Sequence, residues 1–325
     1  MKAGRYGVLT VAASVALLSG CGGAESSGAG PEPAEPTTAE TTTETASETT
    51  PASNDLILDV PIGDRRIHVT CFGPEQEGVP TVLFESGGGA PSDAWDRVVD
   101  IMAPTRRVCS YDRAGVGASP PAPEARRTNK DLVADLEATL AGAGIEGPFV
   151  MVSWSIGVLP LTVFTDAHRA DVAGVVLVDP RPPQVSARFL AALPPKRKGE
   201  PEAVRAWRDD DLGTFEHDPS QNPEHLDIVA SYAEVNALLD PPEPFFGDLP
   251  LVLLSASGTP AAAWGDLPPA LRKEFDRIHS EEQHALVAES TNGRYELVSP
   301  SGHAIPDEQP QAVVDAIESV LSAIT

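Results

Sequence analysis

The sequence is short of basic residues, and that shortage narrows the classes of function open to it. Lysine and arginine number 23 against 48 aspartates and glutamates, which gives a net charge of −25 at pH 7. An excess of carboxylates repels phosphate groups, so the composition argues against a surface that binds nucleic acid or anionic lipid. The charge is better interpreted as a contribution to solubility.

Motifs for metals and nucleotides are also missing. The sequence has no His-Glu-x-x-His pair, no dinucleotide-binding fingerprint, and no phosphate-binding loop in which lysine follows glycine. We therefore expect neither a metal nor a cofactor, and a protein whose chemistry depends on its own side chains.

The chain has one apolar run near its start, and no later run is long enough to cross a membrane. The run "YGVLTVAASVALL" follows Lys2 and Arg5, is too short to span a bilayer, and leads into "LSGC", which ends at Cys21. These four residues resemble the lipobox of bacterial lipoprotein signals. The resemblance implies that residues 1–21 are a signal peptide with lipidated Cys21, and an extracytoplasmic, membrane-anchored protein. An ordinary secretory signal is the alternative.

The next segment, residues 22–54, contains no aromatic residue and consists largely of Thr, Glu, Pro, Ala, Ser and Gly. Such a composition cannot bury enough apolar surface to fold, so we expect a disordered stalk. Residues 55–325 have the length of a single α/β enzyme domain.

The remaining sequence alternates between strand and helix patterns. "LILDVPIGDRRIHVTCFGP" predicts a β-hairpin, while "PTVLFES", "FVMVS" and "VAGVVLVDP" predict strands that are apolar on both faces. "TNKDLVADLEATLAGAGI" predicts an amphipathic helix that ends at glycines. The pattern indicates an α/β fold: a mostly parallel sheet with an N-terminal antiparallel hairpin and helices on both faces. A proline- and charge-rich cap is inserted at about residues 181–247, over the sheet edge where such proteins bind ligands.

Five stretches resemble, in chain order, the motifs of the α/β-hydrolase fold family. They are "FESGGGAPSDAW" at the oxyanion loop, "CSYDRAGVGAS" after the fourth strand, "VSWSIG" at the nucleophile elbow, "VVLVDP" after the sixth strand and "SPSGHAIPDEQP" at the histidine loop. The resemblance implies the serine-hydrolase branch of the family, because serine occupies the elbow where epoxide hydrolases and dehalogenases have aspartate.

The elbow predicts Ser155 as the nucleophile. The sharp strand-to-helix turn requires small residues on both sides of it, and Ser153 replaces the usual first glycine while Gly157 keeps the second. We expect the oxyanion to be held by the amide of Ile156, at the start of the following helix, and by the amide of Gly88.

His303 is the predicted general base, because among seven histidines it alone follows a strand end in the family's Ser–acid–His order. The acid has two candidates. Asp179 follows the sixth strand directly and is the preferred prediction; Asp266, beyond the seventh strand, is the alternative acid.

Three other features have two interpretations each. Asp112 and Arg113 either contact substrate or, as we prefer, form a salt-bridged turn near the oxyanion loop; Trp154 either lines the pocket or packs. The family places the second and fourth strands side by side, which implies a disulfide between Cys71 and Cys109. Two buried free thiols are the alternative.

Together these observations predict a lipid-anchored serine hydrolase that acts on an acyl ester through an acyl-enzyme intermediate. A peptidase of the proline iminopeptidase type and a non-catalytic binding lipoprotein are the alternatives. The expected partners are a small-molecule ester or amide and, through the lipid anchor only, the membrane. Acyl length and oligomeric state are open.

Overall fold

The computed structural model describes residues 55–209, 212, 216–258 and 266–324. The predicted signal peptide with its lipidation site at Cys21, and the predicted stalk over residues 22–54, lie outside these residues. Within the described part, no helix combines the length and hydropathy needed to cross a bilayer.

The centre of the fold is an eight-stranded sheet with the order β1-β2-β4-β3-β5-β6-β7-β8. The strands are β1 Leu56–Ile62, β2 Arg65–Phe72, β3 Thr81–Glu85, β4 Val108–Tyr111, β5 Phe149–Trp154, β6 Val172–Val178, β7 Leu251–Ala256 and β8 Gly293–Val298. β2 pairs antiparallel with both β1 and β4, and all other pairs are parallel. The predicted hairpin and the mostly parallel sheet are therefore confirmed.

Helices cover both faces of this sheet. In the described residues they are α1 Asp96–Met102, α2 Asn129–Ala143, α3 Val158–Ala167, α4 Val185–Ala192, α5 Glu202–Ala206, α6 Ile228–Leu239, α7 Pro269–Val287, α8 Ile305–Glu308 and α9 Pro310–Ile324. One apolar layer contains residues of α2 and α3, and the other contains residues of α1 and α9. A capping box between Thr128 and Asp131 starts α2, and Gly144 ends it at a φ of 66°.

A disulfide joins the antiparallel part of the sheet, as predicted. Cys71 of β2 and Cys109 of β4 lie directly opposite each other in the strand register, and both are fully buried. Their Cα atoms are 4.1 Å apart, and their sulfurs are bonded. The bond crosslinks two strands that are far apart in sequence and lies in the core of the sheet.

Beyond the strand-end residues Asp179 and Pro180, residues 181–250 leave the sheet and are termed the inserted segment below. It carries α4, α5 and α6. Phe189 of α4 stacks on Phe275 of α7, and Trp207 packs edge-on against both rings. This small aromatic cluster joins the inserted segment to α7, the helix between β7 and β8.

Candidate active site

The ends of three adjacent strands bring the predicted site residues together. β3, β5 and β6 are parallel neighbours, and they end at Glu85, Trp154 and Val178. Because the carboxyl ends of parallel strands meet at one edge of a sheet, the glycine loop, Ser155 and Asp179 all start from that edge. His303 reaches the same place from the loop after β8.

Ser155 occupies a strained turn between β5 and α3. Its φ is +58°, in the left-handed region that serine rarely adopts. Gly157 is required by close packing, because a Cβ there would lie 2.6 Å from the carbonyl oxygen of Ser86. Ser153, in the place of the first family glycine, is fully buried, and its hydroxyl has no hydrogen-bond partner among the described residues. The turn therefore accepts a serine where a small residue is needed.

An unbroken hydrogen-bond chain links three of the predicted residues. The Oγ of Ser155 lies 2.9 Å from Nε2 of His303. Nδ1 of the same imidazole lies 2.6 Å from Oδ2 of Asp179, whose side chain is completely buried. Asp179 also has a positive φ, of 39°, so two of the three residues lie in the left-handed region.

The protonation of Asp179 fixes the direction of these bonds. Burial on its own raises the pKa of the Asp179 carboxyl, but hydrogen bonds from His279 and His303, and the charge that these rings carry when protonated, outweigh it and hold the pKa below its usual range. An ionised carboxylate can only accept, so Nδ1 of His303 carries the proton and Nε2 is free to accept from the Ser155 hydroxyl. The imidazole is thus in the tautomer that a general base requires.

Two side chains of α7, which were not predicted from the sequence, lie at the other oxygen of the Asp179 carboxylate. Oδ1 of Asp179 accepts from Nε2 of Gln283 at 3.1 Å and from the amide of Ala256 at 3.2 Å. Nε2 of His279 lies 3.3 Å from the same oxygen. His279 and Gln283 are four residues apart on a helix, and that spacing on one face was the signal available in the sequence.

The remaining predicted polar residues lie outside this chain of bonds. Asp266 is exposed, and within the described residues no hydrogen bond or ion pair joins it to His303. Asp112 is buried and accepts from the amides of Ser92 and Ala118, both at 2.7 Å, which is the structural interpretation of the turn. Trp154 donates from Nε1 to the carbonyl of His303 at 2.8 Å, so it supports the histidine loop.

The two residues predicted to hold the oxyanion lie close together beside Ser155. A Cβ built on Gly88 would lie 3.0 Å from Cγ2 of Ile156, and one built on Gly87 would lie 3.4 Å from Cβ of Ser155. The glycine loop therefore passes so close to the elbow that a side chain on Gly88 would be crowded. Such closeness is a requirement for two amides to share one oxygen.

A cavity of about 170 Å³ opens beside Ser155. Gly88 and Ile156 line it from the sheet side, and the inserted segment supplies apolar walls from Leu226 and Ile228 and polar ones from Arg181. Drug-sized ligand sites are larger, about 300–1,000 Å³. In the part of the chain that the structure covers, no group of three or more histidine, cysteine or acidic side chains is arranged to hold a metal ion.

Comparison with known proteins places the chain in a sequence family. A model described as the alpha/beta hydrolase family matches residues 82–316. A probable transporter, efuK, of Hormonema carpetanum is 33% identical over 124 residues, which are 37% of this chain and 18% of that protein. The chain spans between 18% and 39% of the length of the curated relatives it matches.

Solved structures share the architecture at low identity. A thermophilic esterase from Thermogutta terrifontis aligns with a TM-score of 0.55 and 19% identity, over 83% of this chain and 98% of that one. A proline iminopeptidase-related protein from Thermus thermophilus aligns with a TM-score of 0.54 and 18% identity, over 83% and 98% of the two chains. At these identities the likeness shows the fold alone.

Proposed function

The chain belongs to the alpha/beta hydrolase family, and we propose that it is a serine hydrolase that cleaves acyl esters through an acyl-enzyme intermediate. The observation that carries the proposal is the hydrogen-bond chain from Ser155 through His303 to Asp179. A serine hydroxyl becomes a nucleophile when a positioned base takes its proton. The hydrogen bonds between Ser155, His303 and Asp179 place the imidazole as that base, in the required tautomer and orientation.

In the proposed reaction, Oγ of Ser155 attacks the ester carbonyl carbon while its proton passes to Nε2 of His303. The carbonyl oxygen becomes an oxyanion that accepts hydrogen bonds from the amides of Gly88 and Ile156. Asp179 is ionised and stabilises the imidazolium that forms. His303 then returns the proton to the alkoxide leaving group, and the acyl group remains on Ser155.

The second half of the reaction uses the same groups. Water enters, His303 takes its proton, and the resulting hydroxide attacks the acyl carbon through a second oxyanion. Collapse releases the carboxylic acid, and the proton returns from His303 to Oγ of Ser155. Esters are the proposed substrates because an alkoxide leaves more readily than an amide nitrogen, and the small cavity favours short acyl groups.

A fluorophosphonate probe tests the proposal directly, since it reacts with serines that have an activated hydroxyl. We expect the full-length protein to be labelled at Ser155, and Ser155→Ala and His303→Ala to lose the label. Ser153→Ala, two residues earlier in β5, is the matched control and should keep it. Unlabelled wild-type protein with a normal melting transition would contradict the proposal. A panel of p-nitrophenyl esters and p-nitroanilides of increasing acyl length then separates esterase from peptidase activity.

A further inference from the structure

A buried arginine, Arg113, binds the backbone of the glycine loop. Arg113 is only 4% exposed and donates from Nη1 to the carbonyl of Ser86 at 2.7 Å and from Nη2 to the carbonyl of Gly87 at 2.5 Å. It also pairs with Glu85 at the end of β3. One rigid guanidinium therefore holds two successive carbonyls of the loop and the strand that leads into it.

The contact with Gly87 determines where the next amide points. In a trans peptide unit the carbonyl and the amide hydrogen face opposite directions. Because the Gly87 carbonyl is turned toward Arg113, the amide of Gly88 in the same unit is turned away from it, toward the side where Ser155 and Ile156 lie. Arg113, together with the amide of Ala90, which donates to the same carbonyl at 3.2 Å, thus fixes the orientation of the amide that the proposed reaction needs.

A glutamate from the inserted segment holds the following peptide unit. Oε1 of Glu224 accepts from the amide of Gly89 at 2.6 Å. The same carboxylate binds Arg113 as a fork, with Oε2 2.6 Å from Nε and Oε1 3.0 Å from Nη2. Both peptide units that flank Gly88 are therefore held, one through its carbonyl and one through its amide. Glycine would otherwise sample a wide range of backbone angles here.

Glu224 is itself placed by tight packing. A Cβ on Gly115 would lie 2.0 Å from the carbonyl oxygen of Pro223, so the arginine-bearing turn and the inserted segment touch backbone to backbone. The side chain of Asn222 closes the loop by bonding both the amide and the carbonyl of Leu226, at 2.8 and 2.9 Å. Glu224 consequently projects from a fixed loop.

The charges in this cluster favour its assembly. Burial alone lowers the pKa of the Arg113 guanidinium, but Glu224 and Glu85 outweigh it and raise that pKa above the ordinary value. Burial raises the pKa of Glu85, which Arg113 and the hydroxyl of Tyr111 only partly offset. Arg113 is therefore permanently charged, and Glu224 is the partner that binds it in a bidentate manner.

We infer that Glu224 is a positioning residue for the oxyanion hole, acting through Gly89 and Arg113, so that the inserted segment sets the geometry of the amide of Gly88. The inference rests on the proposed serine hydrolase function. It assigns the inserted segment a role in the transition state in addition to its place in the pocket wall.

Glu224→Gln is the variant that tests the inference. Glu224 accepts through both carboxylate oxygens, whereas an amide has one acceptor and one donor. The glutamine must therefore face a donor of Arg113 or Gly89 with its own NH₂ group. We expect kcat/KM for a reactive aryl ester to fall roughly ten- to hundredfold, less than the 10²–10³ typical of an oxyanion donor that is lost outright.

A thionoester provides the readout that a general structural defect would not change. Sulfur is a weak hydrogen-bond acceptor, so a hole built from amides stabilises a developing oxyanion much more than a thiolate. We expect the ratio of kcat/KM for the ester to kcat/KM for the matched thionoester to fall about tenfold in Glu224→Gln. Glu224→Asp, which keeps the charge at a shorter reach, should give an intermediate ratio and covers the case in which the first variant fails to fold.

Asp135→Asn is the matched control, because Asp135 is another buried carboxylate paired with arginines, Arg65 and Arg127, outside the site. It should leave the ester-to-thionoester ratio unchanged even if it lowers stability. A ratio equal to that of wild type in both Glu224 variants overturns the inference, even if both rates fall. Wild-type protein that hydrolyses neither substrate overturns the proposed function and this inference together.

Discussion

Two buried carboxylates serve the site from opposite sides, one at a strand end and the other in the inserted segment. Asp179 follows β6 and is bonded to imidazoles, rings whose two nitrogens can donate or accept a proton. Glu224 comes from the inserted segment and is bonded to a guanidinium, which only donates hydrogen bonds and keeps its charge. The imidazole partner suits the proton transfer of the proposed reaction, and the guanidinium partner suits a fixed structural contact.

The backbone conformations of Asp179 and Glu224 also differ. Asp179, like Ser155, has a positive φ at the end of a parallel strand, and such strain persists only where the surrounding structure enforces it. Glu224 has no such strain and acts through a side chain that reaches across 135 residues of sequence to Gly89. The groups that we propose to react are placed by the sheet, whereas the group that we propose to support them comes from a segment distant in the sequence.

Replacing Asp179 should cause the largest loss of activity. We expect Asp179→Asn to lower kcat about 10³- to 10⁴-fold, because an amide can hold the His303 ring in the wrong tautomer. Asp266→Asn, at an exposed carboxylate, should leave kcat within about twofold of wild type. Steady-state ester hydrolysis measures both. A large loss in Asp266→Asn would instead make Asp266 the acid.

The same residue has a pH-dependent effect on stability. The folded pKa of Asp179 lies below its unfolded value of about 3.9, so its carboxylate stabilises the fold above that pH. This contribution is lost as the pH falls through the folded pKa. The stability difference between wild type and Asp179→Asn, measured by urea unfolding, should therefore be larger at pH 7 than below pH 4, and a constant difference would argue against the lowered pKa.

Removing the disulfide tests whether a change that touches neither carboxylate leaves the activity intact. The bond closes a loop with a sequence separation of 38 residues, for which loop-closure entropy gives about 4 kcal/mol. We expect the double variant Cys71→Ala/Cys109→Ala to lose free energy of unfolding of this order while its kcat/KM stays within about twofold. A collapse of activity in a protein that is still folded would show that the antiparallel strands also position the site.

His279 is expected to contribute to activity by supporting the Asp179 carboxylate. Its replacement by alanine removes a side chain from Oδ1 of Asp179 but leaves Oδ2 bonded to His303, so we expect kcat to fall about tenfold with little change in KM. His284 lies five residues further along the same helix, is exposed and stacks on Tyr295, and His284→Ala is the control. Equal effects of the two variants would mean that α7 acts through its stability alone.

Ser153 is expected to give the smallest effect, and one of opposite sign. Its hydroxyl is buried without a partner among the described residues, so Ser153→Ala should raise the free energy of unfolding by up to about 1 kcal/mol and keep the activity. Thermal unfolding and ester hydrolysis measure the two quantities. A loss of activity would show that the turn needs this hydroxyl.

The sequence predicted the sheet and the placement of its end residues because both follow from local patterns. Apolar runs that end in "GGG", "SWS" and "DP" put Gly88, Ser155 and Asp179 at strand ends, and the order of motifs brought His303 to them. The preference for Asp179 over Asp266 agrees with the hydrogen bonding, while the catalytic role itself is still a prediction.

The supporting residues were not predicted. The spacing of His279 and Gln283 places them on one face of a helix, but it does not show which residues that face contacts. Glu224 lies in a segment with neither a helical nor a strand period, and its partners Gly89 and Arg113 are more than 100 residues away. Arg113 was assigned correctly to a salt-bridged turn, but its bonds to Ser86 and Gly87 depend on how two loops meet.

The position of Trp154 gives the site an optical signal. Its indole N–H is bonded to the backbone of His303, and the two ring centres are 5.3 Å apart. A protonated imidazole at that distance quenches indole emission by accepting an electron from the excited ring. The part of the emission that Trp154→Phe removes should therefore dim as His303 takes up a proton, so that the charge on this ring can be followed without any substrate, although the sequence has three other tryptophans.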